Sequence, residues 1–152
     1  MNLTQPLLAS LVLSALPLAA VIADRPPADA KPLSVLVAQL EKAGYGPIVE
    51  LSFDDGRLEV EAYKQDTGYE LKVDPRSGKV LSEERDNHDE RPPQDAQPLS
   101  AILAKLEKAG YTKISDVSFE RRYWEIEAVN NQGERELHVD PNTGEILREK
   151  ND

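Results

Sequence analysis

Hydrophobic and polar positions follow two different periods along this chain, and the switch from one to the other happens twice. In KPLSVLVAQLEKAGY, Lys31 to Tyr45, the apolar residues Leu33, Leu36, Val37 and Leu40 fall three and four apart, the spacing of one helix face. Leu99, Ile102, Leu103 and Leu106 repeat that spacing later in the chain. After each helix the period drops to two. Leu58-Glu59-Val60-Glu61-Ala62 and Trp124-Glu125-Ile126-Glu127-Ala128 alternate strictly, so each predicts a strand with one face on a core and one in water. A strand over Ile48 to Phe53 precedes the first of these and joins it through Asp54-Asp55-Gly56, a hairpin signal. The second pass has Glu120-Arg121-Arg122 at that place, without glycine, which calls for a different turn. A third strand is predicted near Tyr69 to Val73, and a short return strand at Lys79 to Leu81.

Proline and glycine punctuate these elements. Pro32 and Pro98 suit the first turn of a helix, where a missing N–H is no loss, and Gly44 and Gly110 suit the left-handed position past a helix C-terminus. Lys31 and Ser34 both stand open as the first helix's N-cap. The phrases VDPRSGKVL and VDPNTGEIL predict a tight turn that sets strand register. In them Asp74 and Asp140 close a strand, Pro75 and Pro141 pre-set the backbone, and Gly78 and Gly144 take a positive φ.

The phrase recurs because a whole unit recurs. Arg25 to Asp86 aligns without gaps onto Arg91 to Asp152, with about half of the paired positions identical. The implied organisation is a leader at 1–23, a first repeat at 24–86, a linker and Pro-rich lead at 87–97, and a second repeat at 98–152. Asn87-His88-Asp89-Glu90 reads as a short exposed connector. The fold class is α+β, each repeat one helix packed on a three- to four-stranded antiparallel sheet. Units this small are marginal by themselves, so the two copies are expected to dock rather than hang freely.

Composition narrows the setting. Residues 1–23 carry no charged side chain, and their apolar run ends in Val21-Ile22-Ala23, which reads as a secretory signal peptide cleaved after Ala23. The run is short for a spanning helix and Pro17 interrupts it, so no membrane attachment is expected after cleavage. The net charge of −10 disfavours nucleic acid and anionic lipid as partners. With no cysteine there is no disulfide framework and no thiolate metal site, so packing alone must hold the fold. A periplasmic or secreted protein fits these limits.

Candidate chemistry is sparse. Glu59, Glu61 and Glu70, with Glu125, Glu127 and Glu136, fall on the outward side of the strands, as a solvated acidic face, a protein-binding face or a place for a hard cation. His88 lies in the linker, and His138 lies outward where the first repeat has Lys72. Trp124 replaces Leu58 on the inward side and reads as core. Tyr123 should point outward beside Arg121 or Arg122, and these three mark a place where the copies differ and a contact could form. No nucleophile elbow, metalloprotease helix or phosphate-cradling loop is present, so no catalytic residue, metal site or cofactor is expected.

The order of helix, "EKAGY", hairpin, "EVEA" and the Asp-Pro-x-Ser/Thr-Gly turn, twice over from Pro32 to Leu81 and from Pro98 to Leu147, resembles the PepSY family of small secreted bacterial domains. The resemblance implies an αβββ-type fold, a location outside the cytoplasm and a non-catalytic role. It further implies an envelope protein as partner, a peptidase or a sensor ectodomain, acted on by binding. The alternative carried with it is a sensory or accessory domain that binds cations or basic groups on the acidic faces. Since no peptidase domain follows the repeats in this sequence, restraint of a peptidase would act in trans.

Overall fold

The computed structural model describes residues 25–88 and 90–151, so the leader and its cleavage point lie outside the described residues. Each repeat contributes one helix and four strands: α1 (Leu33–Lys42), β1 (Ile48–Asp54), β2 (Arg57–Lys64), β3 (Thr67–Val73) and β4 (Val80–Arg85). The second gives α2 (Leu99–Lys108), β5 (Thr112–Glu120), β6 (Tyr123–Asn130), β7 (Gly133–Val139) and β8 (Ile146–Asn151). The repeats do not keep separate sheets. β1 pairs antiparallel with β5, Leu51 opposite Val117, and joins the two units into one eight-stranded sheet in the order β4-β3-β2-β1-β5-β6-β7-β8. The expectation of a self-contained sheet in each repeat is corrected at this seam.

Both helices lie side by side on one sheet face. The apolar stripes of α1 and α2 are buried against Leu51, Val60, Leu71, Val117, Ile126 and Leu137, and a single hydrophobic core runs through both copies. Trp124 is 1% exposed and meets Phe119 edge to face, with ring centroids 5.2 Å apart.

Each helix begins after its proline without a side-chain cap from its own repeat. The cap comes from the other copy: Glu107 of α2 accepts from the backbone N–H and hydroxyl of Ser34, and Glu41 of α1 accepts from those of Ser100. A carboxylate at a helix N-terminus satisfies an orphan donor and meets the positive end of the helix dipole. The N-cap question resolves against both Lys31 and Ser34: Pro32 holds that position, and Ser34, inside the first turn, receives a cap and does not supply one. The double variant Glu41→Ala, Glu107→Ala is expected to lose about 1–2 kcal/mol at each helix. Urea unfolding checks it, and an unchanged midpoint would contradict it.

The turns follow from local chemistry. Asp55 and Gly56 both take positive φ, +46 and +72, as a two-residue Asp-Gly hairpin requires. In the second copy Arg121 has φ +57. Its backbone N–H donates to the Glu90 carboxylate at 2.7 Å, which helps to hold that conformation. The Asp74 carboxylate accepts from the Arg76 N–H and the Ser77 hydroxyl, and the Asp140 carboxylate accepts from the N–H groups of Asn142 and Thr143. These bonds hold both carboxyls below the usual range. Gly78 at φ +81 also leaves room for α1, since a Cβ there would collide with the Gln39 side chain. Pro75 and Pro141 then accept from the backbone N–H groups of Lys31 and Gln97, which fastens each turn to its own Pro-rich lead. The return strands run further than Leu81 and its equivalent because they stay paired with β3 as far as Arg85 and with β7 as far as Asn151, and as sheet edges they carry mostly exposed, charged residues. Among the described residues no helix is long and apolar enough to cross a membrane.

Candidate interaction surface

Helices cover one face of the sheet, and the other face carries the acids. Pleating places Glu84, Glu70, Glu61, Glu50, Ser118, Glu125, His138 and Arg148 in one row across the strands, in order from β4 to β8. Ser82, Lys72, Glu59, Ser52, Asp116, Glu127, Glu136 and Lys150 form the neighbouring row. All six glutamates singled out from the sequence therefore share one face. Glu50 and Asp116 join them at the seam, as equivalent residues of the two repeats. Their signal was visible in Val49-Glu50-Leu51-Ser52-Phe53 and Ser115-Asp116-Val117-Ser118-Phe119, where each acid alternates with apolar neighbours.

Charge compensation is uneven across this surface. Toward β8, Lys150 donates to Glu136 at 2.7 Å and holds that carboxyl below its ordinary range, with His138 3.1 Å away adding to the effect. Lys72 stands 3.4 Å from Glu59. At the seam the balance reverses. Burial pushes the Asp116 carboxyl up to about 6, with Glu127, Glu50 and Glu125 adding like-charge repulsion. Glu50 is raised in the same sense, by burial first and then by Glu61 and Glu120, against a smaller opposing pull from His88.

A raised carboxyl binds its proton more tightly in the folded state, so its contribution to stability is full below the ordinary value of 3.8 and is lost as pH rises through about 6. Asp116→Asn is expected to unfold like wild type near about pH 3.5 and to be more stable by roughly 2 kcal/mol at about pH 7.5. Paired urea titrations check this, and equal stabilities at both pH values would overturn it.

The residues where the copies differ divide into two groups. Tyr123 stacks on His138, with centroids 4.1 Å apart and planes 16° from parallel, and His138 reaches Glu125 at 3.5 Å. Tyr123 thus joins the acidic face. Arg121 and Arg122 stay at the exposed β5–β6 turn, and the structure does not gather them into that row. The connector also departs from expectation. His88 is not exposed: its imidazole is 4% exposed, with Nδ1 2.9 Å from the Glu61 carboxylate and Nε2 3.2 Å from the Tyr69 carbonyl. Tyr63 donates to the His88 carbonyl at 2.6 Å, and the Arg91 guanidinium lies over the Tyr63 ring at 3.6 Å. The linker is packed on β2 and β3.

Two groups of side chains offer ligand atoms within 4.8 Å of one another, Glu61 with Asp86 and His88, and Glu125 with Glu136 and His138. His88 Nε2 faces a carbonyl, which leaves Nδ1 turned to the carboxylates, the orientation a metal-binding histidine takes. In the second group Lys150 already occupies Glu136.

The profile of a family described as "Peptidase propeptide and YPEB domain", PepSY_2, matches residues 4–84 and again residues 86–150. The chain belongs to this PepSY family. Its two matches divide at residue 85, the last of β4, so each PepSY unit is one helix with its four strands. Among solved structures, the chain also matches a crystal structure described as a "putative lipoprotein" from Clostridium difficile 630. That pair is 15% identical with a TM-score of 0.43, over 77% of this chain and 89% of the other. No match was found among curated proteins.

Proposed function

We propose that this tandem PepSY chain is a non-catalytic protein-interaction module of the bacterial envelope, exported by its leader, that docks a basic surface of a partner against its acidic sheet face. The observation that carries the reading is the seam of that face. Glu50 and Asp116 sit partly buried among like charges, Glu61 and Glu120 around the first and Glu127, Glu50 and Glu125 around the second, so a cationic partner would relieve repulsion that the free protein retains. Family membership supports a peptidase as the partner, restrained in trans.

Purified protein is expected to slow one or more secreted peptidases of its own envelope at saturating concentration, with inhibition weakening as salt rises. No change in any of them would remove the inhibitory part. A sensory or accessory role is the second reading, favoured by the group of Glu61, Asp86 and His88. Calorimetry with zinc, calcium and manganese that shows no heat at physiological ionic strength would remove its metal form.

A further inference from the structure

The connector completes a group of side chains that neither repeat contains by itself. His88 falls between the aligned copies, so it has no counterpart in either. The first repeat is shaped to receive it. Gly68 stands where the second repeat has Glu134, and a Cβ there would lie 2.1 Å from the Asp86 carbonyl oxygen and 3.2 Å from the His88 ring. Without one, the backbone of Asp86 lies directly on β3 and donates its N–H to the Gly68 carbonyl at 3.0 Å. His88 is then clamped from β2: Tyr63 donates to its carbonyl and meets its ring edge to face, with centroids 5.5 Å apart.

The surroundings of the ring call for a cation. The Tyr69 carbonyl only accepts, so Nε2 carries a hydrogen and donates to it at 3.2 Å. Nδ1, on the other side of a ring that is 4% exposed, faces the Glu61 carboxylate 2.9 Å away. A nitrogen lone pair and a carboxylate repel at that distance, so a cation has to stand between them, either a proton on Nδ1 or a metal ion. The Asp86 carboxylate brings a third ligand atom, within 4.8 Å of the other two. Among the described residues no lysine or arginine is ion-paired with Glu61 or Asp86, whereas Lys150 neutralises Glu136 in the other group of this kind. Two carboxylates and a neutral imidazole carry two negative charges, which one divalent ion balances.

We propose that Glu61, Asp86 and His88 Nδ1 bind a divalent transition metal of the zinc class. The inference rests on the sensory or accessory reading above and gives it a site and a metal. The imidazole nitrogen selects against calcium and magnesium, which take shells of oxygen, and favours zinc and its neighbours in the series. Adjacent ligands on tetrahedral zinc lie roughly 3.3 Å apart, so the gap between Nδ1 and Glu61 has to open by only a few tenths of an ångström. The bond from Nε2 to the Tyr69 carbonyl fixes tautomer and ring orientation, as the outer partner of a metal-bound histidine does. Glu61 and Asp86 both reach solvent, which gives the ion its way in and leaves a fourth position open to water.

The test takes the untagged tandem chain and zinc alone. Calorimetry at physiological ionic strength is expected to show one zinc bound per chain, with calcium and magnesium in millimolar excess leaving the titration unchanged. The chain has only two histidines, so ¹⁵N spectra resolve both rings, and zinc should shift His88 Nδ1 while Nε2 keeps its proton. His88→Ala and Asp86→Asn are each expected to weaken binding at least ~tenfold. His138→Ala should bind as wild type does. Gly68→Ala retains every ligand but displaces the connector, so it should weaken binding too. Absence of zinc binding would overturn this site together with the metal form of the sensory reading. Zinc held equally well by His88→Ala, or calcium held as tightly as zinc, would overturn this site alone. His88→Ala keeps every glutamate of the docking face, so that face stands or falls by its own test.

Discussion

Residues 25–86 expressed alone are expected to show no cooperative unfolding transition in urea, whereas the whole chain should unfold in one. Cutting the tandem leaves β1 as an open edge and bares Leu51, which is fully buried in the intact sheet. It also removes Glu107 from the start of α1 and the α2 stripe from beside it. A unit of about sixty residues buries too little surface to absorb such losses easily, and no disulfide supplements its core. Circular dichroism followed through a urea titration makes the comparison. A single repeat with the midpoint of the tandem would mean that the seam contributes nothing.

Trp124→Ala should be the most damaging single core substitution, at about 3–5 kcal/mol. The indole is the largest fully buried side chain and packs edge to face on Phe119. Its removal leaves a cavity beneath the second Pro-rich lead that surrounding residues cannot close. Trp124→Leu, which restores the first repeat's residue, should cost clearly less than the alanine variant, since it keeps much of the buried apolar surface. Equal costs for the two would show that packing around the ring does not set its contribution. A loss under about 1 kcal/mol for alanine would contradict its place in the core.

The separate elements were legible because their information is local. Helical spacing, strict alternation at Glu59 and Glu125, and the glycines with positive φ each declare themselves within a few residues. That the repeats dock was expected from their small size, but the strands that join them were not legible. Nothing next to Leu51 or Val117 says which strand lies opposite, because pairing depends on a partner far along the chain. The exchanged caps were hidden for the same reason: Ser34 looks like a donor of capping groups until Glu107 arrives from the other helix. His88 read as a linker residue, and its burial depends on Glu61 and the Tyr69 carbonyl converging from two strands. The acidic face could be inferred from parity alone, but the charge imbalance at Glu50 and Asp116 arises only when the seam brings equivalent residues together.

Docking through that face is most directly tested by capture from the native envelope. Tagged wild-type protein and the variant with Glu59, Glu61, Glu125 and Glu127 changed to Gln would be compared at low and at high salt. Wild type is expected to retain a specific basic protein at low salt, to lose it at high salt, and to differ from the variant in that protein above all. Recovery of the same proteins in the same amounts by both forms would contradict a function carried by the acidic sheet face.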